Sequence, residues 1–188
     1  MMPALAMLLP SVMLAAQTPQ HPVTIHLDPA GTQIRWTLSD VLHTVHGTFA
    51  MKGGVIAFDP ATGRADGEVI VELDSGDSGN ATRDRLMKEK ILQTATYPEA
   101  IFHPEKVSNA PKPGTEQQIT VDGTFTIHGQ DHPLRLVMTV GMNGERHLTA
   151  TTEFAVPYVA WGMKDPSTFV LRVEKQVTVD VTAAGTVD

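Results

Sequence analysis

The chain has no cysteine. That excludes disulfides, thiol nucleophiles and every thiolate metal site, although a domain of this size can be secreted without disulfides. Positive charge is scarce. Lys and Arg number 14 against 21 Asp and Glu, a net charge of −7, so nucleic acid, which needs a basic face, is excluded as a partner. No block of like charge forms an acidic or basic tail. Aromatic residues are only 5% of the chain. Trp36, Tyr158 and Trp161 are therefore singled out: structural packing is the favoured role for each, with lining or rimming a cavity as the alternative.

Long apolar runs are missing too. The nearest is Ala4 to Ala16, broken by Pro10 and shorter than the about 20 residues a membrane-spanning helix needs. Residues 1–20 carry no charged side chain, and the apolar run within them ends in the small residues Ala15 and Ala16, the pattern of a secretory leader. No Lys or Arg precedes the run, and Leu14 stands where a small residue is preferred before the cleavage site. We expect a signal peptide over residues 1–20, a mature chain starting near Gln17, one domain over 21–188, and a periplasmic or secreted location.

What is present is alternation. In 66–74, Val69, Val71 and Leu73 share one face against Glu68, Glu72 and Asp74. In 119–127, Ile119, Val121, Phe125 and Ile127 oppose Thr120, Asp122, Thr124 and Thr126. Leu134, Leu136, Met138 and Val140 align; so do Ala150, Thr152, Phe154 and Val156; so do Val177, Val179 and Val181. A period of two over such lengths marks strands with one wet face, as in antiparallel sheet. Strands are expected near 23–38, 45–51, 54–59, 66–74, 99–108, 116–127, 132–141 and 147–156, with a long one at 168–183. Gly53-Gly54 either kinks one strand or divides two. Turns are expected at 59–63, 111–114, 128–131 and Asn143-Gly144, the last as a type I′ hairpin turn.

One segment breaks the alternation. "NATRDRLMKEKILQTA", 80–95, places Leu86, Met87, Ile91 and Leu92 near one helical face. It predicts a single inserted α-helix over about 80–94, with Asn80 as its N-cap. Consecutive hairpins with one helix point to an all-β, lipocalin-like, eight-stranded antiparallel barrel. Closure removes the sheet edges. An interior of that size is filled by side chains or holds one small ligand.

Few residues offer chemistry. Gly76-Asp77-Ser78-Gly79 spells the GDSG that surrounds the nucleophile of trypsin-like proteases. The chain is too short for that fold, the histidines upstream lack its context, and no Gly-x-Ser-x-Gly elbow surrounds Ser78. A polar loop leading to the helix cap is the competing reading. His43 and His46 fall on opposite faces of a strand, so they are not expected to share a metal ion. Arg83, Asp84 and Arg85 crowd the helix start, where a phosphate or diphosphate head group, or merely a surface ion pair, is accommodated.

Four stretches in order resemble the YceI-like family of mostly periplasmic, lipocalin-like proteins associated with polyisoprenoid binding: "VHGTFAMKGGVIAFDPATG", "NATRDRLMKEKILQTATYPEAIF", "VDGTFTIHGQDHPLRL" and "WGMKDPSTFVLRVEKQVTVDVTA". Arg83-Asp84, Pro98 and Phe102 match the family's Arg-Asp, Pro and Phe. Lys-Ile-Leu at 90–92 stands where members commonly carry Asp-Phe-Phe, and Phe125 where Leu is usual. The resemblance implies a barrel with a tubular apolar interior for a long-chain lipid, and no catalytic residues.

The resulting expectation is a non-enzymatic carrier of an isoprenoid or quinone-like amphiphile. The chain would lie against Val69, Val71, Phe102, Phe125, Leu136, Met138 and Phe154, with Arg83 and Trp161 at the head group or mouth. No metal and no cofactor other than the lipid is expected. Transient membrane contact and a homodimer are left open. A filled structural barrel and, less favoured, a serine hydrolase are the alternatives.

Overall fold

The computed structural model describes residues 22–39, 43–109, 116–144, 146–167 and 172–188. The leader expected at 1–20, the turn expected at 111–114 and the start of the strand expected at 168–183 lie outside the described residues. Nine strands form one antiparallel sheet: β1 (Val23–Leu27), β2 (Gln33–Ser39), β3 (Thr44–Phe58), β4 (Ala65–Asp77), β5 (Glu99–Ser108), β6 (Gln117–Ile127), β7 (Gln130–Asn143), β8 (His147–Val156) and β9 (Val177–Val187). Each pairs with its neighbour in sequence, except that β1 and β2 both lie between β3 and β9. They are two halves of one stave, so the sheet closes as an eight-stranded barrel.

The break in that stave corrects the single strand expected at 23–38. Asp28 causes it: its backbone N–H donates to Ala184 O (2.8 Å) and its side chain accepts from Ala30 N (3.0 Å). That is an Asx-type turn, and Pro29 inside it has no N–H for a ladder. The strands expected at 45–51 and 54–59 are one, β3. Its register against β4 slips between Thr48 and Ala50 and between Met51 and Gly53, so the glycine pair bends the strand instead of ending it. The last strand begins at Val177 and continues to Val187, past the small residues Ala183, Ala184 and Gly185. Small residues are poor strand formers, but tertiary pairing overrides this: Gly185 runs so close to β1 that an added Cβ would stand 2.7 Å from His26 O.

The type I′ geometry appears at another hairpin. His128 and Gly129, between β6 and β7, both take positive φ (52° and 71°), as the two central residues of that turn must. Asn143 stays in β7, paired with His147, and Gly144 turns left-handed (φ 70°).

The helix is shorter and wider than the expected single α-helix at 80–94. An α-helix, α1 (Ala81–Leu86), is capped by Asn80, whose Oδ1 accepts from Arg83 N (3.0 Å). It passes directly into a π-helical stretch, Met87–Leu92, ended by Gln93 in the left-handed region. Thr94 fixes that end. Its N–H donates to Lys88 O (3.0 Å) and its hydroxyl to Asp74 on β4 (3.0 Å). The chain between α1 and this anchor is wound as a wider coil, of the kind that recurs at functional sites.

Candidate binding cavity

The barrel is hollow. Its interior holds a cavity of about 860 Å³, in the upper part of the range of about 300–1,000 Å³ usual for small-molecule sites. Among the described residues, no large side chain is less than 2% exposed. Interior positions such as Val69, Val71, Phe102, Met138 and Phe154 stay partly accessible because they face this space. The buried side chains fall into two clusters. One, around Leu73, Phe125, Ile127 and Val156, lies under the helix; the other, around Ile119, Val121, Leu136 and Val140, lies toward the opposite end.

All seven side chains assigned to the wall from sequence do line the cavity. Phe102 turns inward with Ala100 and Pro104, so Ile101 takes the other face. Two bulges then change the parity of the wall. Between Pro104 and Lys106 the β5–β6 register slips by one residue, so that Val107, at odd spacing from Pro104, also faces in. The slip at Met51/Gly53 likewise brings Phe49 and Met51, and then Ile56 and Phe58, to the same interior. A bulge that inserts one residue has this effect on a period of two.

Arg83 lies at the cavity rim, but its guanidinium is engaged. Nε donates to Ser78 Oγ (2.7 Å) and an Nη to Ser78 O (2.8 Å). The Asp84 carboxylate accepts from Ser78 N (3.0 Å) and from the Ser78 hydroxyl. Ser78 is thus the knot of a loop lock, and among the described residues no histidine is a hydrogen-bond partner of it. Gly76 and Asp77 are not loop at all; they end β4.

Trp161 is not on the cavity wall. It stacks on His132 (centroids 4.1 Å apart, planes 9° apart) and packs 6.0 Å from Phe125. It belongs to a segment, residues 157–167, that crosses the helix end of the barrel. Tyr158 anchors this segment by donating its hydroxyl to Glu174 O (2.7 Å). Burial first, and then the nearby Asp165, push the Tyr158 phenol up to about 12. Asp165 is held below the usual carboxylate range by hydrogen bonds from Ser167, with Lys175 (3.7 Å) assisting against burial.

Sequence reasoning named Trp36 and Tyr158 as candidates to line or rim a cavity, with structural packing favoured for each, and missed the rest of this wall. Trp36 is interior, 5% exposed, and packs 6.4 Å from Phe49. Its signal was the alternation of Ile34, Trp36 and Leu38 in β2. Met87 and Ile91 of the helix, and Tyr158 and Met163 of the crossing segment, also line the space. So do Lys90 and Lys164.

On the outer face, Arg35, His46, Glu153 and Asp180 border an open polar groove with several threonines. His46 lies 3.0 Å from the Thr37 hydroxyl. Among the described residues, no group of three His, Asp or Glu is placed to hold a metal ion, and no helix is long and apolar enough to cross a membrane.

The model of the YceI-like domain family matches residues 26–184. Solved structures share the fold at low identity. A polyisoprenoid binding domain from Saccharophagus degradans, implicated in plant cell wall breakdown, is 14% identical, with a TM-score of 0.68 over 86% of this chain and 97% of that one. BcnA from Burkholderia cenocepacia is 19% identical, with a TM-score of 0.69 over 84% and 98%. A YceI protein from Campylobacter jejuni is 18% identical, with a TM-score of 0.62 over 77% and 86%. None of the curated proteins compared matches the chain.

Proposed function

The chain belongs to the YceI-like domain family, and on that premise we propose that it is an exported, non-enzymatic carrier of a long-chain amphiphilic lipid of isoprenoid or quinone-like character. One observation carries the reading: a closed barrel encloses a continuous apolar space of about 860 Å³ that its own side chains leave open. The tail lies against Val69, Val71, Phe102, Phe125, Leu136, Met138 and Phe154. Each buried methylene contributes about 0.8 kcal/mol, so a long tail binds without a strong polar anchor. The binding of polyisoprenoid attributed to the Saccharophagus domain supports the choice of ligand class.

Catalysis has no part in this role. The Ser78 hydroxyl is committed to Arg83 and Asp84, and the Ser78→Ala variant is expected to change no hydrolytic rate against esters or peptides. The uncharged leader at 1–20 supports export, which fractionation of cells expressing the full chain tests. Native mass spectrometry with lipid extraction of the mature protein tests the main reading. Recovery of empty protein, together with failure to take up prenols or quinones, refutes it.

A further inference from the structure

The cavity has a chemical polarity. Among the described residues its titratable lining groups are Arg83, Lys90, Tyr158, Lys164 and Asp165, and all five belong to the helix or the crossing segment at one end. The far end is walled by such residues as Ile119, Val140, Leu148 and Ala183. An amphiphile therefore enters tail first, with its head at the helix end.

The charges at that end are not balanced among themselves. Asp165 is taken by Ser167 N (2.8 Å) and Lys175, and Arg83 by Ser78. Lys90 and Lys164 make no hydrogen bond or ion pair with any described residue. Lys90 lines the cavity together with Leu86, Met87 and Ile91 of the helix. Three cations thus rim the mouth of a protein whose net charge is −7.

We propose that this rim selects amphiphiles with an anionic head, a phosphate, diphosphate or carboxylate, and that Lys90 and Lys164 are the residues that read it. Their stems pack along the apolar rim while the ammonium groups stay in water beside the head. Hydrogen bonds between ions are stronger than neutral ones. The proposal rests on the reading of the cavity as a lipid site.

The test uses the delipidated mature protein and two pairs of probes, each pair sharing one tail: farnesol with farnesyl diphosphate, and hexadecanol with palmitate. Binding is measured by calorimetry at low and high sodium chloride. The anionic member is expected to bind roughly tenfold tighter than its alcohol at low salt, with the gap closing as salt rises. Lys90→Met with Lys164→Met keeps the stems, and is expected to abolish the gap while leaving the alcohols unchanged. A melting curve like that of the wild type certifies its fold, and the charge reversals Lys90→Glu and Lys164→Glu provide a second pair. A gap confined to the farnesyl pair identifies an isoprenoid phosphate as the source; one confined to the palmitate pair identifies a fatty acyl carboxylate. Equal affinities within both pairs, or a gap that survives the double substitution, overturns the proposal and leaves the lipid site standing. Failure of every probe to bind removes both.

Discussion

Ala150 offers a way to distinguish a hollow barrel from a filled one. It lies on β8 opposite Val140 on one side and Ala183 on the other, so two one-carbon side chains adjoin in the wall away from the helix. All three line the cavity. Ala150→Leu adds three carbons to that wall. In a close-packed interior such an insertion destabilises by about 1–3 kcal/mol. In a hollow one the leucine enters empty space, and the free energy of unfolding of the delipidated protein should stay within about 0.5 kcal/mol. The ligand bears the cost instead. Losing room for three methylenes at about 0.8 kcal/mol each weakens binding by about 2.4 kcal/mol, or roughly 60-fold. Urea unfolding of the lipid-free protein gives the first quantity, and titration with the lipid recovered from the wild type gives the second. A loss of stability of about 1–3 kcal/mol with unaltered affinity refutes the argument from the cavity.

Three further expectations follow from local geometry. Gly47→Ala places a Cβ 2.3 Å from Trp36 Cζ2 and 2.6 Å from Asp77 O; the indole has room to swing but the carbonyl does not, so urea unfolding should show a loss of about 1–3 kcal/mol. The Tyr158 phenol sits at about 12 in the fold against an ordinary 10.0, so its contribution is complete below pH 10 and lost as pH rises toward 12; absorbance titration and alkaline unfolding should show this, and Tyr158→Phe should remove the pH dependence at a cost of about 1 kcal/mol for the hydrogen bond. Asp59, Asp122 and Asp165 are all held below their ordinary 3.8, by hydrogen bonds from Thr62, Arg135 and Ser167 respectively; their contribution is intact above that value and fades as pH falls below it, and Arg135→Met should flatten the Asp122 share of an acid unfolding curve.

The faces of the strands were legible because a half-wet strand writes its orientation in alternate letters. Val69 and Val71, Leu136 and Met138, and Phe125 all point as their neighbours dictate. Alternation fails where a bulge shifts the count, and no local letter announces that Pro104 and Val107, or Met51 and Ile56, share an interior. The helix was legible as a helix, but reading its apolar residues alone discarded the cation among them. Arg83, Leu86, Met87, Lys90 and Ile91 stand at intervals of three and four, and that spacing was available. Lys164 and Trp161 had no such signal. They belong to an aperiodic segment whose position depends on contacts such as that of Tyr158 with Glu174, which join residues far apart in sequence.

The divided stave has a consequence for how the barrel comes together. With β1 and β2 taken as one stave, seven of the eight stave pairings join staves adjacent in the chain, β4 to β5 across the helix, β8 to β9 across the crossing segment and the others through shorter connections. The eighth sets Gln33 against Thr182 and Ile25 against Val187, a closure spanning nearly the whole domain, whose entropy must be met before its contacts return anything. Because β1 and β2 are short and separated by a turn, that seam zips in two instalments instead of one. Of all the pairings, this seam therefore carries the largest entropic cost of closure, and the turn at Asp28 divides that cost between two short strands.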